Sequence, residues 1–207
     1  MSLLRRRHVR YHLPQGAIFS MTTRALRSIY QFKVTLHYVQ PTIWRRFQIA
    51  STDTLEDLHI VLQIVMGWTD SHLHEFSKSK ERYGVPDEEF PSDIHDEINF
   101  RLEQVLKKEK DKLSYVYDFG DGWEHEVLLE KILPFDTTAV LPLCLEGERA
   151  CPMEDVGGPP GYEMFLEAIT DSSHPEHDEL LEWSGGDFDP EHFDLAQTND
   201  LLREYCD

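Results

Sequence analysis

The amino-acid sequence predicts an α+β fold, with an antiparallel sheet, one long packed helix and a helical, acidic C-terminal part. Residues 30–39 alternate apolar and polar side chains, which is the period of a half-buried strand. Residues 54–66 repeat apolar side chains at helical spacing. Residues 113–131 alternate on both sides of an Asp-Gly pair, which is typical of a β-hairpin. These three patterns predict strands that bury one face of a helix.

The first three elements have clear local boundaries. A short turn that contains a proline separates residues 30–39 from residues 43–49, so the two strands are predicted to pair antiparallel. The helix that follows has Asp53 or Thr54 as its N-cap. Gly67 gives its stop signal, because glycine is common just after a helix end.

The middle of the chain is predicted to contain a strand, a loop and the hairpin. Residues 72–79 form a short strand, and the polar, proline-containing residues 80–98 form a loop that leads to a short helix. Asp121-Gly122 predicts a two-residue turn in the hairpin, because both turn positions need positive φ.

The last third of the chain is predicted to be helical after an irregular segment. Residues 144–162 are rich in glycine and proline and are predicted to lack regular structure. Helices are predicted at 161–170, 175–183 and 190–204, where prolines and a Gly-Gly pair give start and stop signals.

The chain of 207 residues is long enough for one domain. Residues 1–28 are predicted to be a disordered basic leader, since residues 1–30 hold six arginines and no acidic residue. Residues 29–207 are predicted to be a single domain. A membrane span of about 20 apolar residues is missing from the sequence, and three cysteines do not suggest a secreted disulfide scaffold, so a cytoplasmic protein is predicted.

The charge of the chain restricts its partners. The net charge is −19, and residues 146–207 hold 18 acidic residues against two arginines. Such a surface repels phosphate backbones, so a protein partner is predicted rather than nucleic acid or a membrane. Nucleic-acid binding stays as an alternative that would depend on Trp44, Arg45 and Arg46.

Histidines and carboxylates suggest a metal site. His72 and His74 are two residues apart on a predicted strand and share a face, and His125 on the hairpin could complete a zinc triad. Zinc or another divalent metal is the predicted cofactor of such a site. The alternative is that these histidines bind no metal and form hydrogen bonds that stabilise the fold. Further candidate ligands or bases are the nearby carboxylates Glu75, Asp118 and Asp121.

Aromatic and thiol side chains suggest a ligand surface. Trp123 directly follows the hairpin turn and is interpreted as lining a groove, with Tyr117, Trp44 and Cys151 as further candidates. Tyr117 has the alternative of belonging to the core. Cys151 would be a nucleophile only if a neighbouring group lowered its pKa, and its spacing from Cys144 is wider than that of a typical zinc-binding pair.

An ordered set of motifs is similar to the plasmid pRiA4b ORF-3-like family. The motifs are HLHEF, YVYDFGDGWEHEV, CPMEDVGGPPGY and LEWSGGDFDPEHF, and the resemblance covers residues 30–203. It implies an α+β accessory protein of plasmids or mobile elements and transfers no catalytic residue. A non-enzymatic binding or interaction protein is therefore the leading hypothesis. The alternatives are a metal-dependent hydrolase that uses His72, His74 and His125, and a nucleic-acid-binding accessory protein.

Overall fold

A computed structural model describes residues 28–86 and 93–206, which form one eight-stranded sheet and five α-helices. The strands are β1 (Ser28–Leu36), β2 (Trp44–Ala50), β3 (His74–Lys78), β4 (Glu81–Gly84), β5 (Ile94–Asp96), β6 (Lys112–Tyr117), β7 (Trp123–Pro134) and β8 (Leu143–Glu148). The helices are α1 (Leu55–Met66), α2 (Leu102–Val105), α3 (Gly158–Thr170), α4 (His177–Trp183) and α5 (Leu195–Tyr205), with a 3₁₀ turn at Glu97–Asn99. The predicted leader lies outside the described residues, except Ser28, with which β1 begins.

The predicted fold class is wrong in two respects. The strands lie in the order β5-β4-β3-β6-β7-β1-β2-β8, and the sheet is mixed because β4 and β5 pair in parallel while every other pair is antiparallel. Strand β5 therefore has the same direction as β4. The chain also has no single long helix among its described residues, since α1, α3 and α5 have 12, 13 and 11 residues.

Elements with local sequence signals are where the sequence predicts them. β1 and β2 pair antiparallel, with Phe32 opposite Phe47. Thr54 caps α1, because its hydroxyl accepts a bond from the amide of Asp57 and the Asp57 carboxylate accepts one from the Thr54 amide. Gly67 ends the helix with φ of 91°. The hairpin is β6 and β7.

Three local predictions are wrong. The segment 80–98, predicted to be a loop, contains β4, β5 and the start of the 3₁₀ turn. The hairpin turn has five residues, 118–122, because β6 ends at Tyr117 and β7 begins opposite it at Trp123. The segment 144–162, predicted to be irregular, contains most of β8 and the start of α3. Its prolines fit the helix because the first helical turn does not need their missing amide donors.

One face of the sheet packs against α1. The guanidinium of Arg45 on β2 is part of this core: it is 2% exposed and its Nε donates to the carbonyl of Val65 in α1 at 2.8 Å. At the edge of the sheet, the Asn199 side chain on α5 accepts a bond from the Cys144 amide at 2.8 Å and donates to the Cys144 carbonyl at 2.9 Å. Within the described residues, no helix has the length and apolar character needed to cross a membrane.

Candidate metal centre

Three loops meet at one end of the sheet. Strand β3 begins there at His74, which lies opposite Tyr117 at the end of β6. The amide of Asp118 donates to the carbonyl of Leu73 at 2.9 Å, which joins the α1–β3 loop to the hairpin turn. The loop 151–157, which leads into α3, is the third. The pairing of β3 with β6 therefore brings together segments that are far apart in the sequence.

Hydrogen bonds fix the three loops relative to one another. The indole of Trp68 donates to the carbonyl of Pro152 at 2.9 Å. The hydroxyl of Tyr117 accepts a bond from the Ser71 amide at 3.1 Å and donates to the carboxylate of Glu154. Burial, and then the bond to Glu154, raises the pKa of Tyr117, so the phenol stays protonated and keeps donating. This set of bonds makes the junction rigid.

A histidine and two carboxylates come together at this junction. The Nδ1 atom of His72 lies 3.7 Å from an Asp118 oxygen, and its Nε2 atom lies 3.4 Å from an Asp155 oxygen. One ligand atom from each of the three residues can be chosen so that all lie within 4.8 Å of one another. Imidazole nitrogen and carboxylate oxygen are ordinary ligands for divalent transition metals. We call His72, Asp118 and Asp155 the metal cluster.

The backbone around the metal cluster holds its aspartates in an unusual conformation. Asp118 and Asp155 have φ of 57° and 63°, the left-handed region that most residues avoid, and Asp70, which lies outside the cluster, has φ of 56°. Residues held in this region tend to occur at functional sites, where the surrounding structure compensates for the strain. Asp118 uses one oxygen to accept the Gly120 amide at 2.8 Å, and its other oxygen is the one closer to His72. The turn therefore orients the carboxylate.

The metal cluster is accessible from solvent. The His72 side chain is 27% exposed and that of Asp155 is 75% exposed, while Asp118 is buried. A shallow depression of about 510 Å³ lies beside the histidine. Its lining consists of Asp70, Ser71, His72, Leu73, Asp118, Phe119 and Gly120. An ion bound there would remain in contact with water.

The predicted ligand Asp121 has a different position in the structure. Its carboxylate accepts the Gly157 amide at 3.2 Å and does not belong to the metal cluster. Its carbonyl oxygen would lie 2.2 Å from a Cβ atom at position 158, where Gly158 has φ of 69°. Asp121 therefore positions the loop that carries Asp155, and this close approach requires glycine at 158.

His74 belongs to a second group, in which His59 is buried and Asp70 is exposed. Ligand atoms of His59, Asp70 and His74 lie within 4.8 Å of one another. The Nε2 atom of His59 lies 2.8 Å from an Asp70 oxygen, and that of His74 lies 2.9 Å from a Glu97 oxygen. The Nδ1 atom of His59 lies 2.8 Å from the Tyr115 hydroxyl. The predicted pair of His72 and His74 is thus divided between two sites.

The second group fits a hydrogen-bond network better than a metal centre. The rings of His59 and His74 are stacked, with centroids 3.4 Å apart and an angle of 6° between their planes. The lone pairs of a ring nitrogen lie in the ring plane, so two parallel rings cannot both point at one ion. Burial lowers the pKa of His59, which keeps its imidazole neutral beside the second ring.

The structure places His125 and Trp123 in the core. His125 is 1% exposed, its Nδ1 atom lies 3.2 Å from the Tyr115 carbonyl, and it belongs to neither group of ligands. Burial lowers the pKa of His125 to about 3. Trp123 is fully buried against Trp68, with ring centroids 6.2 Å apart, and so it lines no open groove. The metal triad predicted from sequence does not form, because β7 directs these side chains inward.

The other candidates for a ligand surface are also engaged. Tyr117 is fully buried and stacks on Trp68 at 4.8 Å. The indole of Trp44 donates to Glu148 at 2.9 Å, and the Lys33 ammonium lies 4.5 Å from its ring centre. Burial raises the pKa of Cys151 to about 12, so this thiol is not an activated nucleophile.

Sequence reasoning missed Asp155 and His59. Asp155 lies in the segment 144–162, which was predicted to lack regular structure. Its carboxylate is an ordinary ligand of a cation, but no local pattern indicates that it faces a histidine. His59 is a polar residue four positions after Leu55, within the apolar stripe of α1, and a buried histidine partner could have been predicted from that position.

The fold and the metal cluster together define the class: a mixed-sheet protein with a histidine–carboxylate cluster where three loops meet at the sheet end. The chain belongs to the plasmid pRiA4b ORF-3-like family, because the sequence model of that family matches residues 28–197. The motifs HLHEF, YVYDFGDGWEHEV and CPMEDVGGPPGY, which carry the resemblance, are the segments that meet around the cluster. The predicted family is thus confirmed.

Two relatives are similar along most of their length. "Uncharacterized protein y4hQ" of Sinorhizobium fredii (strain NBRC 101917 / NGR234) is 42% identical over 179 residues, which is 86% of this chain and 92% of the relative. The crystal structure of a protein of unknown function, MM3350 from Methanosarcina mazei Go1, is 37% identical with a TM-score of 0.75. The similar region covers 83% of this chain and 97% of the MM3350 chain. Neither name states an activity.

Proposed function

We propose that this protein is a non-enzymatic accessory protein of plasmid or mobile-element biology, and that its working site binds a divalent metal ion. The ligands are His72, Asp118 and Asp155. The observation that carries the proposal is their convergence, since three segments far apart in the sequence bring ligand atoms within 4.8 Å of one another. The left-handed backbone at both aspartates supports it.

The ligand set favours some ions over others. One imidazole nitrogen and two carboxylate oxygens suit zinc, manganese or ferrous iron. Calcium prefers six to eight oxygen ligands and magnesium an octahedral shell of oxygens, so the histidine disfavours both. We therefore expect a transition metal in the site, bound through one imidazole nitrogen and two carboxylate oxygens.

A metal-dependent hydrolase is the second candidate, because three protein ligands leave coordination positions for water. The form of this hypothesis that uses His72, His74 and His125 has no support in the geometry, since His72 and His74 belong to different groups of ligand atoms and His125 belongs to neither. The carboxylates nearest the cluster also have partners already. Glu154 accepts the Tyr117 hydroxyl, and Asp70 lies 2.8 Å from His59, which leaves neither as a free base.

The geometry also argues against the nucleic-acid alternative. The Arg45 guanidinium is buried and donates to backbone carbonyls, among them that of Glu148 at 2.7 Å. Arg46 pairs with Glu130, with Nε 2.7 Å from a carboxylate oxygen, and also with Glu146. Arg45 is thus buried, and the partly exposed Arg46 is paired with two carboxylates, which disfavours a phosphate contact at either guanidinium.

Calorimetric titration with Zn²⁺, Mn²⁺ and Mg²⁺ at neutral pH tests the metal proposal. We expect one Zn²⁺ or Mn²⁺ ion per chain for the wild type and at least about tenfold weaker binding for His72→Ala, Asp118→Asn and Asp155→Asn. Asparagine is a suitable replacement because it also tolerates left-handed φ, and in Asp118→Asn its oxygen can still accept the Gly120 amide.

Asp187→Asn is the matched control, since Asp187 is an exposed aspartate outside the cluster. Equal affinity of the wild type and all three cluster variants would overturn the proposal. Hydrolysis of p-nitrophenyl acetate or of bis-p-nitrophenyl phosphate by the metal-loaded protein, lost in Asp118→Asn, would replace the non-enzymatic role with the hydrolase. Stoichiometric binding without turnover supports the accessory role.

A further inference from the structure

A groove between α3 and α4 has an exposed apolar floor. Its volume is about 470 Å³. Met164 is 66% exposed and Trp183 is 48% exposed, and Phe165 packs beneath Trp183 with ring centroids 6.0 Å apart. Large exposed apolar side chains that line a groove mark interaction sites more often than isolated ones do, and tryptophan and methionine are enriched at protein interfaces.

Helix α4 is held loosely on the rest of the protein. None of its seven residues is buried. Its first residue, His177, bonds through Nδ1 to the carbonyl of Ala168 in α3 at 2.9 Å, and Trp183 at its end contacts Phe165. Such a short helix has little stability of its own and gains it from packing. A partner in the groove would cover the face that α4 presents to solvent.

The rim of the groove is acidic. Asp155, Glu167, Glu176 and Glu179 line it, His174 is the one lining residue that can become cationic, and the lining has no lysine or arginine. The surrounding segment 146–207 has the same character, with 18 acidic residues against two arginines. The field of this surface attracts cationic partners and repels nucleic acid and anionic lipid.

We propose that this groove binds a basic amphipathic segment of a partner protein. Apolar side chains of the segment contact Met164 and Trp183, and its lysines or arginines face Glu176 and Glu179. A second copy of this chain is a poor occupant, because a symmetric contact would place two acidic rims together. The groove adjoins the proposed metal site and shares Asp155 with it, but the residues proposed to contact the partner, Met164, Trp183, Glu176 and Glu179, lie outside the metal cluster.

Fluorescence anisotropy with a synthetic peptide tests the proposal. The probe is a fluorescein-labelled peptide of about 14 leucines and lysines with helical periodicity, and the comparison peptide has the same composition in scrambled order. We expect the periodic peptide to bind the full chain at least about tenfold more tightly at about 150 mM salt. Trp183→Ala and the double variant Glu176→Lys/Glu179→Lys should each weaken binding about tenfold or more.

Glu163→Lys is the matched control. Glu163 is an exposed residue of α3 outside the groove, so it gives the same change of charge per residue as each groove substitution. Binding that falls only with the groove variants, whose helix content is checked by circular dichroism, supports the proposal. Equal affinity for the scrambled peptide, no effect of Trp183→Ala, or an equal loss in Glu163→Lys would overturn it and indicate general attraction between opposite charges.

Discussion

The buried imidazole of His125 should make the protein less stable in mild acid. Its pKa is lowered from the ordinary value of 6.5 to about 3, because burial penalises the charged form. The unfolded chain takes up a proton near the ordinary value, whereas the native chain stays neutral at this position until the pH is much lower. The stabilisation is therefore complete above 6.5 and is lost as the pH falls toward 3.

The size of the effect follows from the shift. A difference of one proton between the two states changes the free energy of unfolding by about 1.4 kcal/mol per pH unit. Between pH 7 and pH 5 the histidine is protonated in the unfolded chain, but not in the native chain, over about 1.5 pH units. His125 should therefore account for a loss of about 2 kcal/mol in the free energy of unfolding. His59, whose pKa burial also lowers, acts in the same direction.

Urea unfolding at pH 7 and pH 5 measures this loss. The variant His125→Leu keeps a side chain of similar size but has no proton to bind, so its loss between the two pH values should be smaller by about 2 kcal/mol than that of the wild type. His192→Leu is the control, since His192 is exposed. A wild type and a His125→Leu variant with the same pH dependence would refute the reasoning, whatever their absolute stabilities.

Two further predictions concern a close approach and the thiols. Gly158→Ala should lower the free energy of unfolding by about 2 kcal/mol or more, because a Cβ would lie 2.2 Å from the Asp121 carbonyl oxygen in a left-handed backbone. Gly185 also has positive φ but lies in open space, so Gly185→Ala should lower the free energy of unfolding by less in the same urea titration. Burial raises the pKa of Cys144 to about 11 and that of Cys151 to about 12, so at about pH 8 a thiol reagent should label at most one cysteine rapidly before denaturant is added.

Local signals explain which parts of the fold could be predicted. The cap of α1 depends on Thr54 and on Asp57 three residues later, and the hairpin strands alternate along neighbouring residues. The parallel pairing of β4 with β5 has no such signal, because the two strands have only four and three residues. Strands this short show no usable alternation.

Long-range contacts explain what could not be predicted at the candidate site. His72 and Asp118 were both selected from sequence, and the pairing of β3 with β6 brings them together. Asp155 comes from a loop whose position depends on Trp68 and on contacts with the hairpin turn, which no local pattern shows. The burial of Arg45 could not be predicted for the same reason, since the carbonyls that accept bonds from its guanidinium come from distant segments.

The bond pattern at Asn199 has a consequence for self-association. Strand β8 is the last strand of the sheet, so its outer backbone groups could pair with an edge strand of another molecule. The side-chain amide of Asn199 donates to and accepts from Cys144 as the backbone of an adjacent strand would, and α5 lies alongside. The amide therefore satisfies the outward-facing backbone groups of Cys144, so that a strand of another molecule cannot pair with them.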